Sequence, residues 1–178
     1  MVSALLLGVG LLLGAPTAGT VAPAASAPVA VPAADALPTP QFRRYGSANG
    51  LPSSLVYTAV QAPDGTMWFG TKNGIARFDG VEFKTYRHIA DDPSSLYGNG
   101  ISVLLVDPHG SLWAAGLDAG LNRLDPASGS FRHYGHDPAR PDSLVNDKVW
   151  ALAQTADGSL WVGTHHGLLR NSRGIGAV

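Results

Sequence analysis

The chain has 178 residues and a formal net charge of −1, from 12 basic and 13 acidic side chains, and it contains no cysteine. Its basic residues are scattered, which argues against nucleic acid as a partner because phosphate neutralisation needs a basic stripe. Without cysteine there is neither a disulfide framework nor thiolate chemistry, so packing alone has to stabilise the fold.

The N-terminal stretch up to Gln41 carries a single charged side chain, Asp35. A leucine-rich run ends at Pro16 and is shorter than the roughly 20 residues of a membrane-spanning helix, which suits the hydrophobic region of a secretory signal. We expect a signal peptide over residues 1–27 and a disordered Ala/Pro linker over residues 28–41, and hence export to the periplasm. No Lys or Arg precedes the run, so a cytoplasmic disordered tail stays open as the alternative.

Three tryptophans recur at nearly even spacing, each three positions after a turn glycine. The tryptophans are Trp68, Trp113 and Trp161, and the glycines are Gly65, Gly110 and Gly158. A second motif, Phe-x-x-Tyr, recurs at a similar spacing, at residues 42–45, 83–86 and 131–134. Repetition at about 40 to 50 residues with strand-type composition is typical of propeller blades, and the tryptophans are predicted to pack between the blades.

The turn signals divide each repeat into short strands. They are predicted at residues 55–61, 66–70, 74–78 and 81–86, then at 101–106, 111–115, 120–124 and 130–134, and finally at 149–154, 159–163 and 167–170. The expected fold is all-β: a partial β-propeller over residues 42–178, with about three four-stranded antiparallel blades, of which the third is incomplete. Propellers close with about 4 to 8 blades, so we expect further blades beyond Val178, the last of them completed by the Phe42-x-x-Tyr45 strand.

These motifs resemble the two-component regulator propeller repeats found in periplasmic sensor regions of bacterial signalling proteins. The resemblance rests on three stretches, Gly50 to Ser54, Asp64 to Ile75 and Gly120 to Pro126, together with Phe78-Asp79-Gly80, and it departs from the usual pattern at His109 and Ala115. It implies a sensor with two seven-bladed propellers, a small β-sandwich, one membrane helix and a histidine kinase or diguanylate cyclase as output. The chain carries no signature of such an output module, so we expect no catalytic residue and no cofactor in it.

The resemblance also places strand starts along the central channel, where a ligand would bind. The candidate ligand-binding residues are Tyr57, Tyr97, Asn99 and Trp150, the last of which is taken to stand where other blades have Ser102 and Thr58. Their aromatic and amide groups would suit a small molecule or an oligosaccharide. The two longest connections, residues 91–100 and 137–147, are predicted to take part in capture.

The six histidines raise the question of a metal site. His165 and His166 stand where the first repeat has Lys72 and Asn73, before a turn glycine, so a solvated turn is favoured over a metal site. Two other functions stay open beside the sensor: a secreted propeller lyase or hydrolase, and a propeller that only mediates interactions. The fold alone does not decide among the three.

Overall fold

The structure, a computed structural model, describes residues 39–171. The predicted signal peptide and nearly all of the predicted linker lie outside these residues. The described residues from Phe42 onward belong to one compact unit. Within the described part, no helix has the length and apolar character needed to cross a membrane.

Eleven strands in the described residues form three antiparallel sheets, ordered β1-β2-β3-β4, β5-β6-β7-β8 and β9-β10-β11. We call these sheets blades 1, 2 and 3. The strands are β1 (Val56–Gln61), β2 (Met67–Thr71), β3 (Gly74–Phe78), β4 (Phe83–Tyr86), β5 (Ile101–Val106), β6 (Leu112–Gly116), β7 (Leu121–Leu124), β8 (Phe131–Tyr134), β9 (Val149–Gln154), β10 (Leu160–Thr164) and β11 (Gly167–Asn171). The predicted partial propeller is confirmed, with a third blade of three strands.

Each blade has the same tight turn between its first two strands. Gly65, Gly110 and Gly158 have φ angles of 87°, 83° and 81°, a left-handed conformation that glycine adopts without steric cost. In all three turns the backbone N–H of the glycine donates to the carbonyl three positions earlier, at 2.9 Å. The turn glycines are therefore backbone requirements of the repeat.

Among the first strands of the three blades, β5 contacts both β1 and β9, so these three strands form the inner side of the row of blades. Since neighbouring strands are antiparallel, the connections 87–100 and 135–148 lie at the same end as the turns 72–73, 117–120 and 165–166. We call this end the loop end. The opposite end carries the three glycine turns and is called the turn end.

The core consists of two apolar clusters, one at each junction between blades. Trp68 of blade 1 packs in the first cluster with Leu104, Leu112 and Phe131 of blade 2. Trp113 of blade 2 occupies the corresponding place in the second cluster, among residues of blade 3. The two sequence markers also meet, because the rings of Trp68 and Tyr86 and of Trp113 and Tyr134 lie 5.8 Å apart.

Trp161 differs from the prediction that all three tryptophans are core residues. Trp68 and Trp113 are buried, whereas Trp161 is only half-buried. The tryptophan of each blade packs toward the following blade, and within the described residues no blade follows the third. The guanidinium of Arg170 lies 5.5 Å from the Trp161 ring centre and covers part of the exposed ring.

The segment Phe42–Tyr45 carries the outer-strand marker but forms no strand. Among the described residues no strand pairs with it, and a strand without a pairing partner leaves its backbone N–H and C=O groups unpaired. Its Phe42 side chain is 95% exposed, while Tyr45 packs on Phe78 and Phe83 of blade 1.

Candidate functional site

The loop end is built from two connections that share one hydrogen-bond pattern. In residues 87–100, the backbone N–H of His88 donates to the Asn99 side chain at 2.8 Å, and His88 Nδ1 lies 2.7 Å from the Leu96 carbonyl. In residues 135–148, His136 makes the same contacts with the Asp147 side chain, at 2.6 Å, and the Leu144 carbonyl, at 2.7 Å. The two loops are structural repeats of each other.

A serine completes the pattern in both loops. The Ser95 hydroxyl accepts from the backbone N–H of Ile89 and the Ser143 hydroxyl from that of Asp137, each at 3.0 Å. The next residue in each loop, Leu96 or Leu144, is buried in a core cluster between two blades. These loops therefore hold neighbouring blades together. The prediction that these loops take part in ligand capture stays a prediction. Tyr97 and Val145 are the exposed residues of these loops that could contact a ligand.

The inner strands carry an irregularity at the same place in every blade. Val56 and Thr58 pair with consecutive residues of β2, so Tyr57 is skipped in the register. Ser102 is skipped in the same way between β5 and β6, and Trp150 between β9 and β10. A β-bulge redirects the side chain of the extra residue and is frequent next to functional sites. Trp150 thus corresponds to Tyr57 and Ser102, and its expected correspondence with Thr58 is wrong by one residue.

The three bulged residues differ in their surroundings. Tyr57 and Trp150 are 49% and 55% exposed, so both aromatic rings face solvent near the loop end. The Ser102 hydroxyl oxygen is buried and has no hydrogen-bond partner among the described residues. The bulges of β1 and β9 therefore expose two aromatic side chains, whereas the bulge of β5 buries its hydroxyl oxygen.

The other two sequence-predicted ligand residues lie elsewhere on the loop end. The Tyr97 ring packs edge-on against His133, 5.6 Å away, and its backbone N–H donates to the buried Asn122 side chain at 2.9 Å. The Asn99 side chain is engaged within its own loop, as described above. Among the described residues, no ring contact or hydrogen bond joins any two of the four candidates. Tyr57 and Trp150 lie on the inner strands β1 and β9, and Tyr97 lies over the outer strands of blade 2.

Exposed large apolar side chains are concentrated at the loop end. It holds nine of the twelve in the described residues: Leu55, Val56, Tyr57, Ile89, Tyr97, Leu117, Val145, Trp150 and Leu168. The turn end holds Val81 alone, and the remaining two belong to the segment Phe42–Tyr45. A concentration of exposed apolar side chains at one end of a domain is typical of a binding face.

Four of the six histidine side chains, those of His88, His133, His136 and His166, lie within hydrogen-bond distance of a partner. His165 and His166 lie in the exposed turn between β10 and β11, as predicted, with ring centres 5.2 Å apart. His133 Nε2 lies within hydrogen-bond distance of the Ser95 carbonyl, which ties the first loop to blade 2. In residues 39–171 no group of three or more His, Asp or Glu side chains could hold a metal ion.

At the turn end, blade 2 has His109 where blades 1 and 3 have an aspartate, and a second carboxylate compensates for it. In blades 1 and 3 a carboxylate at this position, Asp64 or Asp157, accepts the backbone N–H two positions later, at 2.9 and 3.0 Å. Blade 2 has the buried Asp107 two positions earlier, and its carboxylate accepts from the N–H groups of His109 and Ser111 at 2.9 and 2.8 Å. Asp107 therefore supplies the bond that His109 cannot make.

Hydrogen bonding also sets the acidity of these carboxylates. The backbone N–H of Thr66 lowers the pKa of Asp64, and the Thr155 hydroxyl together with the backbone N–H of Ser159 lowers that of Asp157. A donor directed at a carboxylate favours its charged form. Both groups are thus charged at neutral pH and serve the turn.

The described residues form part of a β-propeller. Its three blades are joined by the loops 87–100 and 135–148, and aromatic residues at β-bulges are exposed at one end. Two of its segments, residues 50–73 and 143–166, match the family described as two component regulator propeller. These two segments of blades 1 and 3 are similar to two-component regulator propeller repeats.

Similar proteins share this architecture. The extracellular domain of a hybrid two-component system from B. thetaiotaomicron is 30% identical, with a TM-score of 0.66, over 72% of this chain and 18% of that chain. A second such extracellular domain from B. thetaiotaomicron is 25% identical, with a TM-score of 0.54, over 67% of this chain and 16% of that chain.

A curated relative, Histidine kinase P4 of Formosa agariphila, is 36% identical over 55 residues, which are 31% of this chain and 4% of the relative. The chain thus spans less than a fifth of the length of each of these three proteins.

Proposed function

We propose that this chain is the N-terminal part of a ligand-sensing propeller in a membrane-bound bacterial signal-transduction protein, with a histidine kinase or diguanylate cyclase as output. The observation that carries this proposal is its likeness, over 72% of its length, to the extracellular domain of a hybrid two-component system. Residues 1–27 act as the export signal, residues 28–41 as the linker, and the propeller lies in the periplasm.

The ligand binds at the loop end, against the bulged residues Tyr57 and Trp150. Their rings are half exposed on inner strands, and an aromatic ring offers a large apolar contact at low entropic cost. A small molecule or oligosaccharide with both apolar faces and hydroxyl groups fits a surface of aromatic rings and amide groups. Binding there would change how the inner strands and the clasping loops pack and so bias two states of the propeller.

Calorimetric titration of the purified chain with a panel of neutral and acidic oligosaccharides tests the ligand site. We expect binding by at least one of them, weakened about tenfold or more by Trp150→Ala because the buried ring contact is lost. Val81→Ala is the matched control, since Val81 is 90% exposed at the turn end. Equal affinity of both variants would place the ligand elsewhere, and a panel without any heat of binding would refute this ligand class.

Export is tested by fusing residues 1–41 to alkaline phosphatase, which is active only outside the cytoplasm. We expect activity from the fusion and none after Leu5, Leu6 and Leu7 are replaced with serine, because the signal then loses its apolar centre. An inactive wild-type fusion would refute the proposed location.

A further inference from the structure

In each blade an arginine of the third strand pairs with the repeated tryptophan of the second strand. The pairs are Arg77 with Trp68, Arg123 with Trp113 and Arg170 with Trp161. In blades 2 and 3 the guanidinium lies over the tryptophan ring, 5.4 and 5.5 Å from its centre. It also donates to a serine hydroxyl after the turn glycine, Ser111 or Ser159, at 3.0 and 3.1 Å. These two arginines therefore stabilise their own blades.

Arg77 of blade 1 makes none of these contacts. Within residues 39–171 its guanidinium has no hydrogen bond and no salt bridge, and it lies over no aromatic ring. The position that carries serine in the other two blades is Thr66 in blade 1. Because Arg77 is half-buried, its charge has lost part of its hydration without gaining a protein partner. The guanidinium is therefore open to an anion.

Arg77 lines a cleft of about 670 Å³ at the turn end, between blades 1 and 2. We call it the junction cleft. Lys84 of β4, which pairs with Arg77 in the sheet, lines the same wall. On the blade 2 side the cleft is lined by the turns at residues 108–110 and 126–129. Its volume lies within the range of about 300–1,000 Å³ that is usual for small-molecule sites.

The part of the junction cleft nearest the core is apolar. It is lined by Trp68 and Tyr86 of blade 1 and by Leu112 and Leu124 of blade 2. The rings of Trp68 and Tyr86 lie 5.8 Å apart, and the Lys84 ammonium lies 5.3 Å from the centre of the Tyr86 ring. The cleft thus combines an aromatic surface with two cations on the same wall.

The charged side chains of the cleft have a net positive charge. Arg77 and Lys84 are cations, and Asp64 is the single carboxylate among the lining residues. Asp64 is engaged by its own turn, since it accepts the backbone N–H of Thr66 at 2.9 Å. That hydrogen bond is the main cause of its lowered pKa, and the charge of Arg77 contributes less. His109 also lines the cleft and adds positive charge when it is protonated.

We propose that the junction cleft binds an organic anion, namely a carboxylate attached to a flat apolar body. The carboxylate pairs with Arg77 and Lys84, since a guanidinium matches a carboxylate with two parallel hydrogen bonds. The apolar body lies against Trp68 and Tyr86, whose rings favour stacked or edge-on contacts. A small inorganic anion leaves this surface uncovered, and a neutral aromatic molecule leaves the guanidinium without a partner, so both bind more weakly.

The position of the cleft gives the anion a structural effect. Its walls belong to two blades, so a ligand that touches both walls binds when the two blades are packed together. Binding therefore stabilises the junction between blades 1 and 2. The cleft lies at the opposite end from the bulged residues Tyr57 and Trp150, and the inference stands independently of the ligand site proposed there.

Equilibrium dialysis of the full chain against 2-naphthoate, followed by ultraviolet absorbance, tests the proposal. We expect binding of 2-naphthoate and affinity about tenfold or more lower for 2-naphthamide, which has the same rings without the charge. Acetate, which has the charge without the rings, should displace 2-naphthoate only at a much higher concentration.

Substitutions place the anion in the cleft. Arg77→Gln should raise the dissociation constant of 2-naphthoate about tenfold or more, and Arg77→Lys, which keeps the charge, should raise it less. The fold should survive, because Arg77 has no hydrogen-bond or salt-bridge partner in residues 39–171. Lys84→Gln should also weaken binding. Its matched control is Arg132→Gln, since Arg132 lies over Tyr134 in blade 2 as Lys84 lies over Tyr86, but outside the cleft.

Four results would overturn the proposal. A chain that binds no 2-naphthoate at millimolar concentration has no such site. Equal affinity for 2-naphthamide refutes the role of the charge, and displacement by equimolar acetate refutes the role of the apolar surface. An affinity that Arg77→Gln changes no more than Arg132→Gln does places the anion outside the junction cleft.

Discussion

Replacing Asp107 with alanine tests whether this buried carboxylate has taken over the role of the turn aspartate in blade 2. The substitution removes two hydrogen bonds to a charged acceptor, from the backbone N–H groups of His109 and Ser111. Bonds of this kind contribute about 1.5–3 kcal/mol each, and part of the loss is recovered by water at the partly buried His109 N–H. We expect the free energy of unfolding to fall by about 2–4 kcal/mol.

The rescue variant makes the reasoning specific. Adding His109→Asp to Asp107→Ala recreates the arrangement of blades 1 and 3, in which Asp64 and Asp157 accept the N–H two positions later. Because this restores the Ser111 bond but not the second one, we expect about half of the lost stability to return. Urea unfolding followed by tryptophan fluorescence gives the free energies, and non-additivity of the two changes gives the coupling.

Asp118→Ala serves as the control, since Asp118 is exposed in the turn between β6 and β7 of the same blade. It should change the free energy of unfolding by less than about 0.5 kcal/mol. The reasoning is refuted if Asp107→Ala costs no more than this control. It is also refuted if His109→Asp fails to recover stability in the Asp107→Ala background.

Three further outcomes are expected from the full chain in urea unfolding. Trp113→Ala should lower the free energy of unfolding by about 3–5 kcal/mol and Trp161→Ala by clearly less, because Trp113 is 1% exposed and Trp161 is half-buried. Equal losses would contradict the finding that a following blade covers Trp113 but not Trp161. Gly70→Ala should cost about 1–3 kcal/mol, since the new Cβ would lie 2.6 Å from a Thr58 methyl carbon, whereas at Gly163 the nearest atom is 3.3 Å away; similar losses would disprove the difference in packing. The lowered pKa of Asp157 adds stability that is complete above about pH 4 and is lost as the pH falls toward the pKa of this carboxyl in the folded state. Asp157→Asn should therefore reduce the decrease of the free energy of unfolding at acidic pH, and an unchanged decrease would show that other groups cause it.

The order and bounds of the strands follow from local physical chemistry, which is why the sequence predicts them well. A turn glycine with positive φ has few substitutes, and the strands between the turns are too short to adopt another structure. Predicted strands at 74–78, 101–106 and 149–154 agree with the structure at both ends, and the others differ by one or two residues. The spacing of Trp68 and Trp113 likewise predicts their burial, because a repeat must bury its faces on its neighbours.

Local sequence patterns do not predict how the inner strands pair with their neighbours. A bulge depends on how two strands meet, so the correspondence of Tyr57, Ser102 and Trp150 appears only in the register. The repeated loops do carry a sequence signal, since His88, Ser95 and Leu96 recur in the next repeat as His136, Ser143 and Leu144. Comparing the two connections with each other would have predicted the clasp.

The sequence by itself determined the blade type, the order of the strands within each blade and the positions of the three repeated glycine turns, because these depend on contacts within a single repeat. Tertiary structure alone decided which tryptophan is covered, which loop residue enters a core and where Asp107 replaces the missing turn carboxylate. These properties depend on the neighbouring blade. A face of a blade becomes buried only when another blade packs against it, and the local sequence pattern does not contain that information.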